Sequence, residues 1–215
     1  MKREMLVAGV LATLILLFVL GTVGVKSQRA QEVEVLAQEE ATLFERPGAP
    51  SFGPEDADVV IVEFFDPACE TCAAIYPHVH QRVEAHPERV RLVLRYAPLH
   101  HGADVVVRAL EASRKQDLFW QALDVLFATQ AQWTAHHKVQ LDRLPAFLSE
   151  AGVDLTQLQQ DMHDPAIDAV LKQDHDDRTT LGVRKTPTFF VNGKPLPRFG
   201  LDALQQLVQS ELEGG

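Results

Sequence analysis

Two cysteines three positions apart, Cys69 and Cys72, stand where a strand pattern gives way to a helix pattern, and the chain has no other cysteine. That junction limits the folds open to it. Val59–Phe65 (VVIVEFF) is a short apolar run of β-branched and aromatic residues, bounded by Asp58 and by Asp66-Pro67, as a buried strand would be. From Cys69 the spacing predicts a helix through about Ala85, with Pro77 expected to kink it. Val90–Tyr96 (VRLVLRY) alternates and predicts a second strand. A strand–helix–strand unit implies parallel pairing and a right-handed crossover, so the fold class is α/β.

Residues 103–182 are almost wholly helical in pattern, with helices expected over 103–116, 118–130, 139–151, 155–162 and 166–181. Asp154 and Asp164-Pro165 have the character of helix starts. Thr188–Val191 and 196–199 flank Asn192-Gly193, a strong hairpin signal, and 202–212 reads as a closing helix. The order is βαβ, a helical block, then ββα. The outer parts must meet in one sheet, with the helical block inserted at about 103–182. Phe119, Trp120, Phe127 and Phe147 fall at helical spacing and read as core, as do Phe64, Phe65 and Phe189.

The chain begins with a different kind of segment. Residues 6–25 (LVAGVLATLILLFVLGTVGV) carry no charge, and twenty residues at a rise of about 1.5 Å span a hydrocarbon core of about 30 Å. Lys2 and Arg3 precede the run and keep its start cytoplasmic, so everything after it is expected on the far side of the inner membrane, in the periplasm or outside the cell. The run is long for the apolar part of a cleaved signal peptide and no clean A-x-A site follows, although either reading gives the same compartment. The expected organisation is a transmembrane anchor over 1–25, a stalk and linker over 26–50, and a domain over 51–215. In the stalk, Val33, Leu36, Leu43 and Phe44 are spaced for one apolar face that docks on the domain; a short self-association helix is the alternative. With 30 acidic and 20 basic residues the net charge is −10, which argues against a nucleic-acid partner, since phosphates select clustered Lys and Arg.

The chemistry is expected at Cys69-Glu70-Thr71-Cys72. A helix N-terminus leaves amide N–H groups unpaired and carries partial positive charge, so a cysteine there is stabilised as the nucleophilic thiolate. Cys69 is therefore expected to be exposed and of low pKa, and Cys72, one turn on, to be the buried resolving thiol. Half a zinc site or an inert pair would show the same spacing. Three features favour redox chemistry. Glu63 lies on the preceding strand, where a buried carboxylate could accept or relay the proton of Cys72; an ordinary edge charge is the competing reading. Thr186-Pro187 precedes Thr188–Val191, and a cis proline there would hold backbone beside the disulfide for a substrate to pair with. Export puts the cysteines where disulfides persist.

Val62-Glu63-Phe64-Phe65, the CxxC, the helical insertion and Thr186-Pro187-Thr188-Phe189-Phe190-Val191-Asn192-Gly193 together resemble the DsbA-like branch of the thioredoxin superfamily, as does Leu118-Phe119-Trp120…Leu126-Phe127 within the insertion. The resemblance covers about residues 48–213. It implies a thioredoxin fold with an inserted helical subdomain and thiol–disulfide exchange with exported proteins. By position, Cys69 carries over as nucleophile, Cys72 as resolving thiol, Glu63 as buried acid and Pro187 as cis proline, with Thr186, Glu70 and Thr71 bordering the substrate. It implies no soluble cofactor, and a membrane redox partner that resets the cysteines. The Glu-Thr dipeptide departs from the family's Pro-His, Pro-Tyr, Gly-Tyr and Gly-Pro. Glu70 should oppose the Cys69 thiolate and give a couple well below the oxidising end of a range from about −270 mV for thioredoxin to about −120 mV for DsbA.

Nine histidines remain. His78 and His80, two apart on a helix, face different ways and make poor joint ligands. His100-His101 follows the second strand, at the strand edge where α/β sites gather, and His136-His137 sits in the helical block; solvated or capping roles are the simplest reading. A site using Cys69, Cys72 and a nearby histidine would suit Cu(I) or Zn(II). The main alternative function is thus a copper or metal-site assembly chaperone, and the third is a binding module with vestigial redox chemistry.

Overall fold

The computed structural model describes residues 11, 13–18, 20, 22, 24, 28, 31, 41–136 and 138–214. Most of the expected anchor and stalk lies outside the described residues. Those described between 11 and 31 are helical, and Leu11, Leu14, Ile15, Leu16, Leu17, Phe18 and Leu20 are 53–73% exposed. Among the described residues no helix is long and apolar enough to cross a membrane.

After a 3-10 turn at Ala41–Leu43 come β1 (Ser51–Phe52), β2 (Val59–Phe65), α1 (Glu70–Ala85) and β3 (Val90–Tyr96). The inserted block holds α2 (Ala103–Arg114), α3 (Phe119–Ala128), α4 (Gln130–Trp133), β4 (Thr134–Ala135), β5 (Lys138–Val139), α5 (Leu144–Glu150), α6 (Leu155–Asp161) and α7 (Pro165–Thr180). The chain ends with β6 (Thr188–Val191), β7 (Lys194–Pro195) and α8 (Leu201–Gly214). The main sheet has the order β1-β3-β2-β6-β7, with β2 parallel to β3 from Val59↔Val90 to Phe65↔Tyr96 and antiparallel to β6 from Ile61↔Val191 to Phe64↔Thr188. This is the thioredoxin-like α/β architecture with an inserted helical block.

Alternation along β2 decides which side chains reach the site. Val59, Ile61 and Phe65 face one core, shared with Cys72, Ile75, Tyr76 and Val79 of α1. Val62 and Phe64 face a second core with Phe190, Leu43 and Phe44. Glu63 shares the odd-numbered parity, so it points towards α1 and the cysteines.

On the other face Arg95 is fully buried. Its guanidinium donates to Asp174 Oδ1 (Nε, 2.8 Å), to Asp177 Oδ2 (2.6 Å) and to the carbonyls of Leu43 and Phe44 (2.8 and 2.9 Å). Arg46 donates to both oxygens of Asp177, at 2.8 and 2.6 Å. The segment leading into the domain is therefore held by charge-assisted hydrogen bonds as well as by Leu43 and Phe44.

Three local expectations are corrected. The helix expected over 139–151 starts only at Leu144, because Lys138–Val139 pairs with Thr134–Ala135 in a two-stranded ladder. The 118–130 helix breaks at Thr129, whose hydroxyl bonds back to Val125 O, and restarts as α4. The hairpin turns at Asn192 and Gly193, both at positive φ, but its return strand is Lys194–Pro195 and not 196–199. Pro195 and Pro197 have no N–H to extend the ladder. At α1, by contrast, the helix runs unbroken through Pro77.

Candidate active site

Cys69 is the extended N-cap residue of α1. Its N–H donates to Asp66 O (3.0 Å), and its carbonyl accepts from Ala73 N–H (3.1 Å). Cys69 and Cys72 are both free thiols. Cys72 is completely buried, while Cys69 keeps 7% of its surface exposed. This corrects the expectation of an openly exposed nucleophile. The loop ending in the cis Thr186-Pro187 bond lies against it, and the Cys69 thiol donates to Thr186 O at 3.4 Å.

The electrostatics of the two sulfurs diverge. The Cys69 thiol is lowered to about 5, first by a hydrogen bond from the Cys72 thiol, then against burial by the Thr186 side chain and the backbone at Cys72 and Thr71. Cys72 is pushed far above the ordinary thiol range by burial, by its bond to Cys69 and by the charges of Glu63 and Cys69. A sulfur that ionises readily beside one that holds its proton is the asymmetry that stepwise disulfide exchange uses.

Glu63 is 2% exposed, opposite Leu94 and Phe189 in the central strand, so it is not an edge charge. Its Oε2 is buried without a hydrogen-bond partner. Burial, and then the charge of Cys69, push its carboxyl up to about 8. Such a group is mostly protonated at neutral pH and can give or take a proton within the Cys72 pocket.

Glu70 and Thr71 are exposed on the first turn of α1. The groups that set the Cys69 pKa do not include the Glu70 carboxylate. The expectation that Glu70 would keep the thiolate poorly stabilised therefore gives way: an exposed charge is screened, while donors on the sulfur act at contact.

Two further residues shape the site. Fully buried Asp66 accepts from Ala68 N–H (2.8 Å), Leu99 N–H (2.6 Å) and His100 N–H (2.8 Å), and pairs with His100 Nδ1 at 2.7 Å. It ties the loop before Cys69 to the loop after β3. The cue for it was an Asp-Pro three residues before the cysteine, read only as a strand boundary. Gln130, also buried, donates from Nε2 to Pro67 O (2.8 Å) and Cys69 O (3.2 Å), so the inserted block touches the reactive loop. Nothing in the sequence pattern singled it out. His78 and His136 are exposed, His80 stacks on Phe52 and lies tilted against Tyr76, and His137 lies outside the described residues. Among the described residues no group of three or more His, Cys, Asp or Glu is gathered to hold a metal ion.

The family profile described as thioredoxin matches residues 45–210. A solved thioredoxin-like oxidoreductase from Silicibacter pomeroyi is 30% identical with a TM-score of 0.70, covering 82% of this chain and 98% of that one. A probable disulfide bond formation protein D from Bacillus cereus is 26% identical over 99% of this chain and all of its own length. A Na(+)/H(+) antiporter NhaA from Herminiimonas arsenicoxydans is 31% identical over 67% of this chain, but the match spans only 22% of that protein.

Proposed function

We propose that this chain, which belongs to the thioredoxin family, is a DsbA-like thiol–disulfide oxidoreductase, a membrane-anchored, extracytoplasmic enzyme that exchanges disulfides with cysteines of exported polypeptides. The observation that carries this reading is the paired shift of the two sulfurs, Cys69 down to about 5 and Cys72 far up, above a buried Glu63. In the oxidising direction a substrate thiolate attacks Cys69. A new S–S bond forms, the Cys69–Cys72 bond breaks, and Cys72 leaves with the electron pair and takes a proton, for which the neutral Glu63 carboxyl serves as donor. A second substrate thiolate then attacks the substrate sulfur of the mixed disulfide, and Cys69 leaves as a thiolate. Two electrons pass from substrate to enzyme, and the same steps reversed reduce a substrate disulfide. A thiol–disulfide partner in the membrane restores the starting state.

The exposed apolar helical residues between Leu11 and Leu20 support the anchor, since each is more than half exposed, and the preceding Lys2 and Arg3 support the outward orientation. The test is Cys72→Ala, which should trap substrates on Cys69 as mixed disulfides that a reductant releases. An empty trap, with no insulin reduction and no refolding of scrambled protein by the unaltered enzyme, would favour a thioredoxin-fold binding protein instead.

A further inference from the structure

Among the described residues most lysine and arginine side chains are engaged, such as Arg46 with Asp177, Arg89 with Asp58, Arg108 with Asp168, Lys115 with Asp161 and Asp164, and Lys194 with Glu211. An acidic surface makes that the expected fate of a cation. Four exposed side chains, Lys138, Arg198, Arg184 and Lys185, have no hydrogen-bond or ion-pair partner among the described residues, and of these only Arg184 and Lys185 adjoin the cis-proline loop. They stand directly before Thr186, whose carbonyl is 3.4 Å from the Cys69 sulfur. Successive Cα atoms are about 3.8 Å apart, so the Cα atoms of both cations lie within about 8 Å of that of Thr186. Such distances are comparable with the screening length of about 8 Å at physiological ionic strength. The other flank carries the opposite sign: Glu70, next to Cys69 on α1, is exposed and likewise has no side-chain partner.

A polypeptide drawn across Cys69 thus meets two unpaired cations on the loop side and one carboxylate on the helix side. We propose that Arg184 and Lys185 select substrate chains that carry acidic residues on one side of the reacting cysteine, with Glu70 excluding acid from the other side. The inference rests on the exchange reading and names its substrate class. Charges at this range act mainly on encounter and on the stability of the mixed-disulfide complex, and they fade with salt.

The test uses the full chain and three peptides of identical composition, each with one cysteine and one Asp-Asp pair. The pair stands directly before the cysteine, directly after it, or far from it, so net charge is constant. Rates of mixed-disulfide formation with the oxidised enzyme are compared at about 10 mM and about 0.5 M ionic strength. One adjacent placement should react about threefold to tenfold faster than the distant one at low salt, the other adjacent placement should not, and the advantage should shrink towards unity at high salt. R184S/K185S should erase the ratio, and R184E/K185E should transfer it to the matching Lys-Lys peptides. Placements within twofold of one another in the unaltered enzyme, or a preference that survives R184E/K185E, would overturn the inference while leaving the exchange activity intact. No reaction with any peptide would overturn the oxidoreductase reading and this inference with it.

Discussion

A thiolate at Cys69 owes its stability first to a donor only three residues away, the Cys72 thiol. In the reduced enzyme Cys72→Ala should therefore move the Cys69 ionisation midpoint up from about 5, and Cys72→Ser, which keeps a donor, should move it less; thiolate absorbance near 240 nm against pH reads both. A midpoint near 5 lies between the values of about 7 for thioredoxin and about 3.5 for DsbA. The reduction potential should likewise fall between their extremes, roughly −200 mV in a glutathione titration. Glu63 acts in the opposite sense on stability. Below the unfolded pKa of 4.5 its proton is held in both states and costs nothing. As pH rises the unfolded chain ionises first, so stability falls until the folded pKa near 8 is passed. At pH 7 that penalty is on the order of 3 kcal/mol at about 1.4 kcal/mol per unit. Glu63→Gln should raise the urea midpoint at pH 7 and leave it nearly unchanged at pH 4.

Between elements, the strongest polar tie is the Arg95 cluster joining β3, α7 and the turn after Ala41. Arg95→Leu would leave Asp174 and Asp177 buried beside a lost guanidinium and should cost about 3–5 kcal/mol in chemical denaturation. Arg46→Ala, at a partly exposed pair, should cost about 1 kcal/mol. Burial pushes Asp177 up, but the two guanidiniums outweigh it and hold its carboxyl below the ordinary range, so this contribution is lost as pH falls through its folded pKa. Neither this cluster nor the Asp66 and Gln130 contacts were legible in the chain. Each joins residues far apart in sequence, which no local periodicity encodes. β2, β3 and β6 were legible because their β-branched and aromatic runs satisfy strand geometry by themselves. Short elements were not: β4 and β5 are two residues each, and at 139–151 apolar spacing suggested helix where a backbone ladder forms first. The CxxC helix was legible for the same reason as its chemistry, since a helix start and a thiolate site require the same unpaired amides.

At the scale of the whole molecule, the domain from Ser51 onward carries the cysteines and their supporting shell, and the proposed anchor would decide where they work. The full chain should sediment with membranes and resist alkaline extraction. In intact cells Cys69 should react with a maleimide that does not cross the membrane; labelling only after lysis would overturn the outward orientation. Many exposed carboxylates have no cation beside them, and Arg184, Lys185 and Glu70 are the unpartnered charges next in sequence to Thr186 and Cys69.

The grip of Arg95 and Arg46 on the segment at Leu43–Arg46 has one more consequence for an enzyme tethered as proposed. With the proposed anchor ending at residue 25, the tether up to that clasp would be residues 26–42, worth about 26 Å as a helix or about 58 Å fully drawn out. So tethered, the catalytic head would patrol a thin shell above the lipid and would meet newly emerging chains before they diffuse away.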